Sequence, residues 1–188
     1  MSRLLGPIMQ NGYVVHDWRA AAEWWSDVMG VGPFFVMEHL QFGQCHFRGK
    51  PLQLDMSVAI AYSGEHQIEL VQQHCATPSI YTEFLAKAPE GLQHVGVLVD
   101  DLEATLTQLG WHPHVVQGGE TVVGQRFAYC DLRGVGGPNF AAGFSGHEGA
   151  MIELIEASAQ ARSAFEYMKQ TARAWTGERP VRIPKKKD

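Results

Sequence analysis

Cysteine is scarce in this chain of 188 residues: Cys45, Cys75 and Cys130 are the only three, and no two form a C-x-x-C pair. That count fits a reducing compartment and argues against a disulfide framework or a thiolate-built structural zinc site. An excess of positive charge is missing too. Fifteen Lys and Arg face 20 Asp and Glu, a formal net charge of -5, which speaks against general affinity for nucleic acid. No apolar stretch approaches the length that crosses a bilayer, and the N-terminal run Met-Ser-Arg-Leu-Leu-Gly-Pro breaks too early for a secretory signal. With 45% hydrophobic and 19% charged residues there is no compositional case for extended disorder. These absences predict a soluble, cytoplasmic globular protein, long enough to bury a core without covalent staples.

What the sequence does contain is a duplication. Pro7 to Asp17 (PIMQNGYVVHD) reappears 84 positions later as Gly91 to Asp101 (GLQHVGVLVDD), matching Gly12 to Gly96, Val15 to Val99 and Asp17 to Asp101. The same offset carries Ala20 onto Ala104 and Ile68-Glu69-Leu70 onto Ile152-Glu153-Leu154. It also makes Gln10 equivalent to His94 and Glu69 equivalent to Glu153. The expected organisation is one domain made of a module over 7–76 and a module over 91–157. A linker covers 77–90, a C-terminal helix 158–176 and a basic tail 177–188.

Local patterns assign each module the order βαβββ. In the first, a strand over 8–15 ends at Asp17, which can cap a helix whose apolar residues Trp18, Ala21, Ala22, Trp25, Val28 and Met29 recur at helical spacing before Gly30. Strands are expected over 34–42, 54–62 and 66–73. The linker carries a short helix between Pro78 and Pro89. In the second module Asp100 is the expected cap of a helix with Leu102, Leu106 and Leu109 on its buried stripe, followed by strands over 111–117, 123–131, 139–144 and 150–155. A final helix capped by Ser158 repeats Ala161, Phe165, Met168, Ala172 and Trp175, a stripe expected to pack outside the sheet or on a second subunit. The tail after it reads as a solvated end.

Gln10, Glu69, His94 and Glu153 are the candidate site. Singly, each is an ordinary polar strand residue, but related positions on two copies of one module converge if the copies pack about a pseudo-two-fold axis. Two carboxylates, an imidazole and an amide oxygen balance a divalent charge and leave coordination positions open, which suits Zn²⁺, Ni²⁺, Co²⁺ or Mn²⁺. Seven other histidines (His39, His46, His66, His74, His112, His114 and His147) do not pair through the repeat and read as surface or core residues. Arg48, Lys50 and Arg126 read as solvated charges, and Phe34, Phe35, Phe42 and Phe47 as core or pocket wall.

The repeated βαβββ pattern with this set of four resembles the vicinal oxygen chelate superfamily (glyoxalases, bleomycin-resistance proteins and dioxygenases) over roughly residues 7 to 157. The resemblance implies an α+β fold in which two tandem modules form a curved, cup-like mixed sheet, with the C-terminal helix added. Mammalian-type glyoxalase I also uses Gln, Glu, His and Glu as ligands, whereas GLQHVGVLVDDL and Gly32-Pro-Phe-Phe35 look nearer to methylmalonyl-CoA epimerases. Extradiol dioxygenases, with two His and one Glu, match less well.

By that resemblance the protein is expected to be an isomerase, epimerase or lyase dependent on one divalent metal ion. It would abstract a proton next to a metal-bound carbonyl, through an enolate, with Glu153 or Glu69 as base. The implied substrate is a small-molecule carbonyl compound or thioester; no nucleic acid or membrane partner is expected, and a homodimer is. The alternative is a small-molecule binding or sequestration protein of the bleomycin-resistance type, using the same cleft.

Overall fold

Asp17 and Asp101 stop the first strand of each half and start a helix, and glycines stop both helices. In the computed structural model, which describes residues 5–133, 135 and 151–183, the Asp17 carboxylate accepts from the amides of Arg19 (2.9 Å) and Ala20 (3.1 Å) to cap α1 (Trp18–Met29). Asp101 accepts from the Ala104 amide (2.8 Å) to cap α3 (Leu102–Leu109). The cap is thus Asp101, the repeat partner of Asp17, and not the expected Asp100. Gly30 (φ 64°) and Gly110 (φ 68°) end the two helices in the left-handed conformation that glycine adopts without penalty.

The strands are β1 (Ile8–Val14), β2 (Phe34–Met37), β3 (Phe42–Phe47), β4 (Lys50–Pro51), β5 (Met56–Ser63) and β6 (His66–Gln73) in the first half. In the second are β7 (Gly91–Leu98), β8 (Val115–Thr121), β9 (Arg126–Cys130) and β10 (Met151–Glu156), with β11 (Val181–Arg182) near the end of the chain. All join one curved, open, mixed sheet in the order β11-β2-β5-β6-β1-β7-β10-β9-β8-β3-β4. Each half has the same internal order, β2-β5-β6-β1 against β8-β9-β10-β7, and the halves meet where β1 runs antiparallel to β7. A central junction of two parallel pairs flanking one antiparallel pair follows, since β1 is parallel to β6 and β7 to β10.

Side-chain alternation then decides what faces what. Ala59, Ala61, Ile68 and Leu70 point outward under α1, which buries Trp18 and Ala22; Ala128, Cys130 and Leu154 point outward under α3. The inner face carries Val14, Val58, Ile60, Val71, Phe127 and Tyr129 and is filled by α2 (Ile80–Leu85), through Ile80 and Tyr81, and by α4 (Ala159–Arg173), through Met168.

Several expectations need correcting. The apolar stripe of α1 is shorter than its spacing suggests, since Val28 (62%) and Met29 (55%) are exposed. The single strand expected over 34–42 is two, because the chain turns at His39 (φ 50°) and β3 crosses to pair with β8 of the other half. Residues 112–114 form a 3-10 turn before β8, where a strand was expected from 111. The stripe of α4 packs on β5 and on Ile155, inside the concave face and not on the outside of the sheet, because Met168, Phe165 and Ala161 find apolar partners there. The tail is not simply solvated: Val181 and Arg182 pair in parallel with Phe34 and Phe35. The strand expected over 139–144 lies outside the described residues.

Candidate metal centre

Four strands at the centre of the sheet supply the candidate residues, and two glycines make room for them. Gly12 lies opposite Glu69 on β6 and opposite His94 on β7; Gly96 lies opposite Gln10 on β1 and opposite Glu153 on β10. The duplication therefore places one carboxylate, one glycine and one neutral donor side by side, twice. A Cβ on Gly12 would overlap the imidazole of His94, and one on Gly96 would overlap the Oε1 atom of Gln10. A glycine inside a strand marks such a close approach.

His94 Nε2 is 3.1 Å from Glu69 Oε2 and 3.5 Å from Glu153 Oε2. One donor atom from each of these three residues fits within 4.8 Å of the other two. His94 is fully buried, Glu153 is 5% and Glu69 8% exposed. The other imidazole nitrogen, Nδ1, lies 2.8 Å from the Gln93 side-chain oxygen. Donation from Nδ1 to that oxygen turns Nε2 toward the two carboxylates, where it donates when protonated and offers a lone pair to a metal when not.

Gln10 completes the set in a telling way. Its amide nitrogen donates to Gln67 Oε1 at 2.6 Å, and Gln67 in turn donates to the Tyr62 hydroxyl at 2.9 Å. The Gln10 carbonyl oxygen is buried and has no hydrogen-bond partner among the described residues. An acceptor left dry and unpaired costs about 1–3 kcal/mol unless something electropositive meets it. A cation lying among the four residues does so, and three oxygen donors with one nitrogen suit a borderline or hard divalent ion. The residues present therefore fit one divalent metal.

Burial and mutual repulsion set the electrostatics. Burial pushes the Glu153 carboxyl up to about 8; the nearby His94 opposes the shift, Glu69 adds to it, and a hydrogen bond with Tyr129 opposes it. For His94, burial favours the neutral ring, but the hydrogen bond to Glu69 and the charges of both glutamates outweigh it and leave the imidazole above its ordinary value. Tyr129 and Tyr81 are held well above the usual phenol range, first by burial and then by the charge on Glu153. Their hydroxyls form a chain, Tyr81 donating to Tyr129 at 3.0 Å. Both rings, with Glu69 and Glu153, line a cavity of about 40 Å³.

Sequence comparison bears on the same segment. The family model of the glyoxalase/bleomycin resistance protein/dioxygenase superfamily matches residues 9–129. The chain belongs to that superfamily. No curated protein matches it. Among solved structures, this superfamily member resembles methylmalonyl-CoA epimerase from Mycobacterium tuberculosis, at 19% identity over 87% of this chain and 95% of that one, with a TM-score of 0.57. It also resembles the hypothetical protein BH1468 from Bacillus halodurans C-125, at 16% identity over 82% of this chain and 96% of the other, with a TM-score of 0.55. At such identities the likeness is one of fold.

Of the four sequence-derived candidates, Glu69, His94 and Glu153 gather within one chain of this superfamily member, and the Gln10 side-chain oxygen lies beside Gly96 on the adjoining strand. Unrecognised in the sequence were Tyr129 and Tyr81, which line the cavity, and Gln67 and Gln93, which orient the donors. Glycine at both repeat-related strand centres was the available signal for the crowding; the tyrosines had none, because Tyr81 lies in the linker and the counterpart of Tyr129 in the other half is Ile60. Of the cations read as solvated charges, Arg48 is paired with Glu83 (2.8 Å) and Arg126 with Glu156 (3.0 Å).

Proposed function

We propose that the protein is a divalent-metal-dependent isomerase, epimerase or lyase that removes a proton from the carbon next to a carbonyl group. The observation that carries this reading is the gathering of His94 Nε2, Glu69 and Glu153, with the buried Gln10 oxygen left unpartnered beside Gly96 on the neighbouring strand. Gln10, Glu69, His94 and Glu153 would hold the ion, whose contribution is Lewis-acid polarisation of the substrate carbonyl, worth several kcal/mol of transition-state stabilisation.

The chain's own groups do the proton chemistry. Glu153 is the favoured base, since its carboxyl lies buried against the cavity and desolvation makes it more basic. It takes the proton at a carboxylate oxygen while the C–H electron pair delocalises toward the carbonyl oxygen. Returning the proton to the opposite face of that carbon gives epimerisation, and delivering it to a neighbouring atom of the substrate gives isomerisation. The Tyr129 hydroxyl, hydrogen-bonded to Glu153 and to Tyr81, fixes which carboxylate oxygen is free to act. Phe127, Met56 and Val58 form apolar walls that keep bulk water from the base. A small-molecule carbonyl or thioester is the substrate class, and CoA thioesters are the first to screen given the epimerase of similar fold.

Metal analysis after purification, followed by solvent-deuterium exchange into a panel of acyl thioesters and α-substituted carbonyl compounds, tests the reading. Stoichiometric metal with exchange that stops in Glu153→Gln supports it. A protein that holds no metal after reloading and exchanges no substrate proton is instead a binding or sequestration protein using the same cleft.

A further inference from the structure

Away from the central four, three potential ligands gather where β2 and β6 end and β5 begins. His39 Nδ1 is 2.6 Å from Asp55 Oδ1, the rings of His39 and His74 have centroids 5.1 Å apart, and one donor atom from each of the three residues fits within 4.8 Å of the others. We propose that His39, Asp55 and His74 form a second divalent-cation site, separate from the central one.

Each ligand is fixed by contacts that a fortuitous surface cluster does not need. His74 Nε2 is 2.7 Å from the Ser57 hydroxyl, which orients the ring and leaves Nδ1 as the free donor. A histidine ligand oriented through its second nitrogen is the usual arrangement around bound metals. The His74 amide donates to the Asp55 carbonyl at 2.8 Å, and the Asp55 amide contacts Cys75 Sγ at 3.5 Å, so the two ligands are tied backbone to backbone. His39 occupies a left-handed turn (φ 50°), where a residue with a Cβ is disfavoured and where Asn or Gly would be easier. The turn is closed by the Leu40 amide, which donates to the Met56 carbonyl at 2.8 Å. Holding an imidazole there, against Asp55, is what the strained position accomplishes.

Two imidazoles and one carboxylate select a borderline ion such as Zn²⁺, Ni²⁺, Co²⁺ or Cu²⁺ over Mg²⁺ or Ca²⁺, which take all-oxygen sites. Three protein ligands leave the solvent side open to water or a ligand group; the side chains of His39 and Asp55 are 65% and 47% exposed. The residues immediately following two of the ligands, Leu40 and Met56, line the cavity that holds Glu69 and Glu153. Occupancy of the outer site therefore fixes one wall of the inner one.

Zn²⁺ titration of chelator-stripped full-length protein, followed by calorimetry and by the histidine ring signals in NMR, tests this without any assay of activity. The expected result is that the His39 and His74 rings shift together at one equivalence point. Asp55→Asn should weaken that event about tenfold or more, as loss of a metal-orienting or ligating group does. His39→Ala combined with His74→Ala should remove it and leave any binding at the central four intact. Because the outer event is followed on its own residues, it is read whether or not the central site takes metal. Rings that do not shift, or that shift independently with an affinity unchanged by Asp55→Asn, overturn the proposal. All three residues reach solvent, and circular dichroism confirms that each variant compared is folded.

Discussion

Gly12 and Gly96 sit at the centre of the sheet because nothing larger fits between a carboxylate on one neighbouring strand and a His or Gln on the other. Gly12→Ala drives a methyl group into a fully buried imidazole, so His94 has to rotate or β1 has to shift, at a cost of about 1–3 kcal/mol. Metal uptake at the central site should fall sharply while the fold survives; retention of wild-type affinity in a folded Gly12→Ala protein would show that His94 is not held where it is described. Thiol chemistry is equally position-dependent. Burial pushes Cys45 up to about 11 and Cys130 up to about 12. Cys75 is partly exposed: burial acts to raise it, but hydrogen bonds from Thr77, the Asp55 amide and Gln73 outweigh that and hold it below the ordinary thiol value. At pH 8 one thiol per native chain should react quickly with a disulfide reagent and two only after unfolding, with Cys75→Ser abolishing the fast phase. Two fast thiols would refute the assignment.

At the scale of elements, α2 shows how a helix of six residues is kept in place inside the cup. Ser79 Oγ accepts from the amides of Tyr81 (3.1 Å) and Thr82 (3.2 Å), Thr82 Oγ1 accepts from the Ser79 amide (2.9 Å), and Gln117 Oε1 accepts from the Ile80 amide (3.2 Å). So short a helix does not persist on propensity alone. Ser79→Ala removes the cap and the partner of Gln73, and should cost about 1–2 kcal/mol, read as a fall of a few degrees in Tm. An unchanged Tm would mean that packing of Ile80 and Tyr81 suffices. This helix was legible from Pro78, Pro89 and the apolar pair Phe84 and Leu85, whereas the β3–β4 hairpin was not. Its turn, Arg48-Gly49, joins strands that are short and half exposed, and its partner β8 is some seventy residues away. Local pattern holds no information on such a pairing. The exposed end of α1 misled for a related reason, since spacing reports a stripe but not how much of it the rest of the chain covers.

The molecule as a whole keeps the 84-residue register at both ends of each half although the halves differ in between. The first half spends its extra residues on the hairpin between β2 and β5, the second on the connection between β9 and β10; the two lengths compensate, so Ile68 and Ile152 fall back into register. That is why the four central residues could be found by offset and the tyrosine beside them could not: Tyr129 lies opposite Glu153 as Ile60 lies opposite Glu69, a correspondence the offset does not preserve.

Bringing these residues together leaves the metal-free fold with a charge problem, and its pH dependence is the last prediction. Glu153 releases its proton near 4.5 when unfolded and near 8 when folded, first because it is buried. A folded value raised above the unfolded one contributes stability that is fully present below about 4.5 and is lost as pH rises through about 8. His94, raised overall by the two glutamates despite its burial, acts in the same direction. The chelator-treated protein should therefore melt at a lower temperature at pH 9 than at pH 6. A divalent ion replaces the proton as the partner of both carboxylates, so the stabilisation it confers, about 2.7 kcal/mol at a hundredfold excess over Kd, should grow as the competing protons leave. Melting curves from pH 5 to 9 with chelator and with added Zn²⁺, run on His39→Ala, His74→Ala protein so that only the central site is read, measure both trends. A zinc-induced shift in Tm that shrinks toward high pH would mean that Glu153 and His94 are not the groups the metal engages.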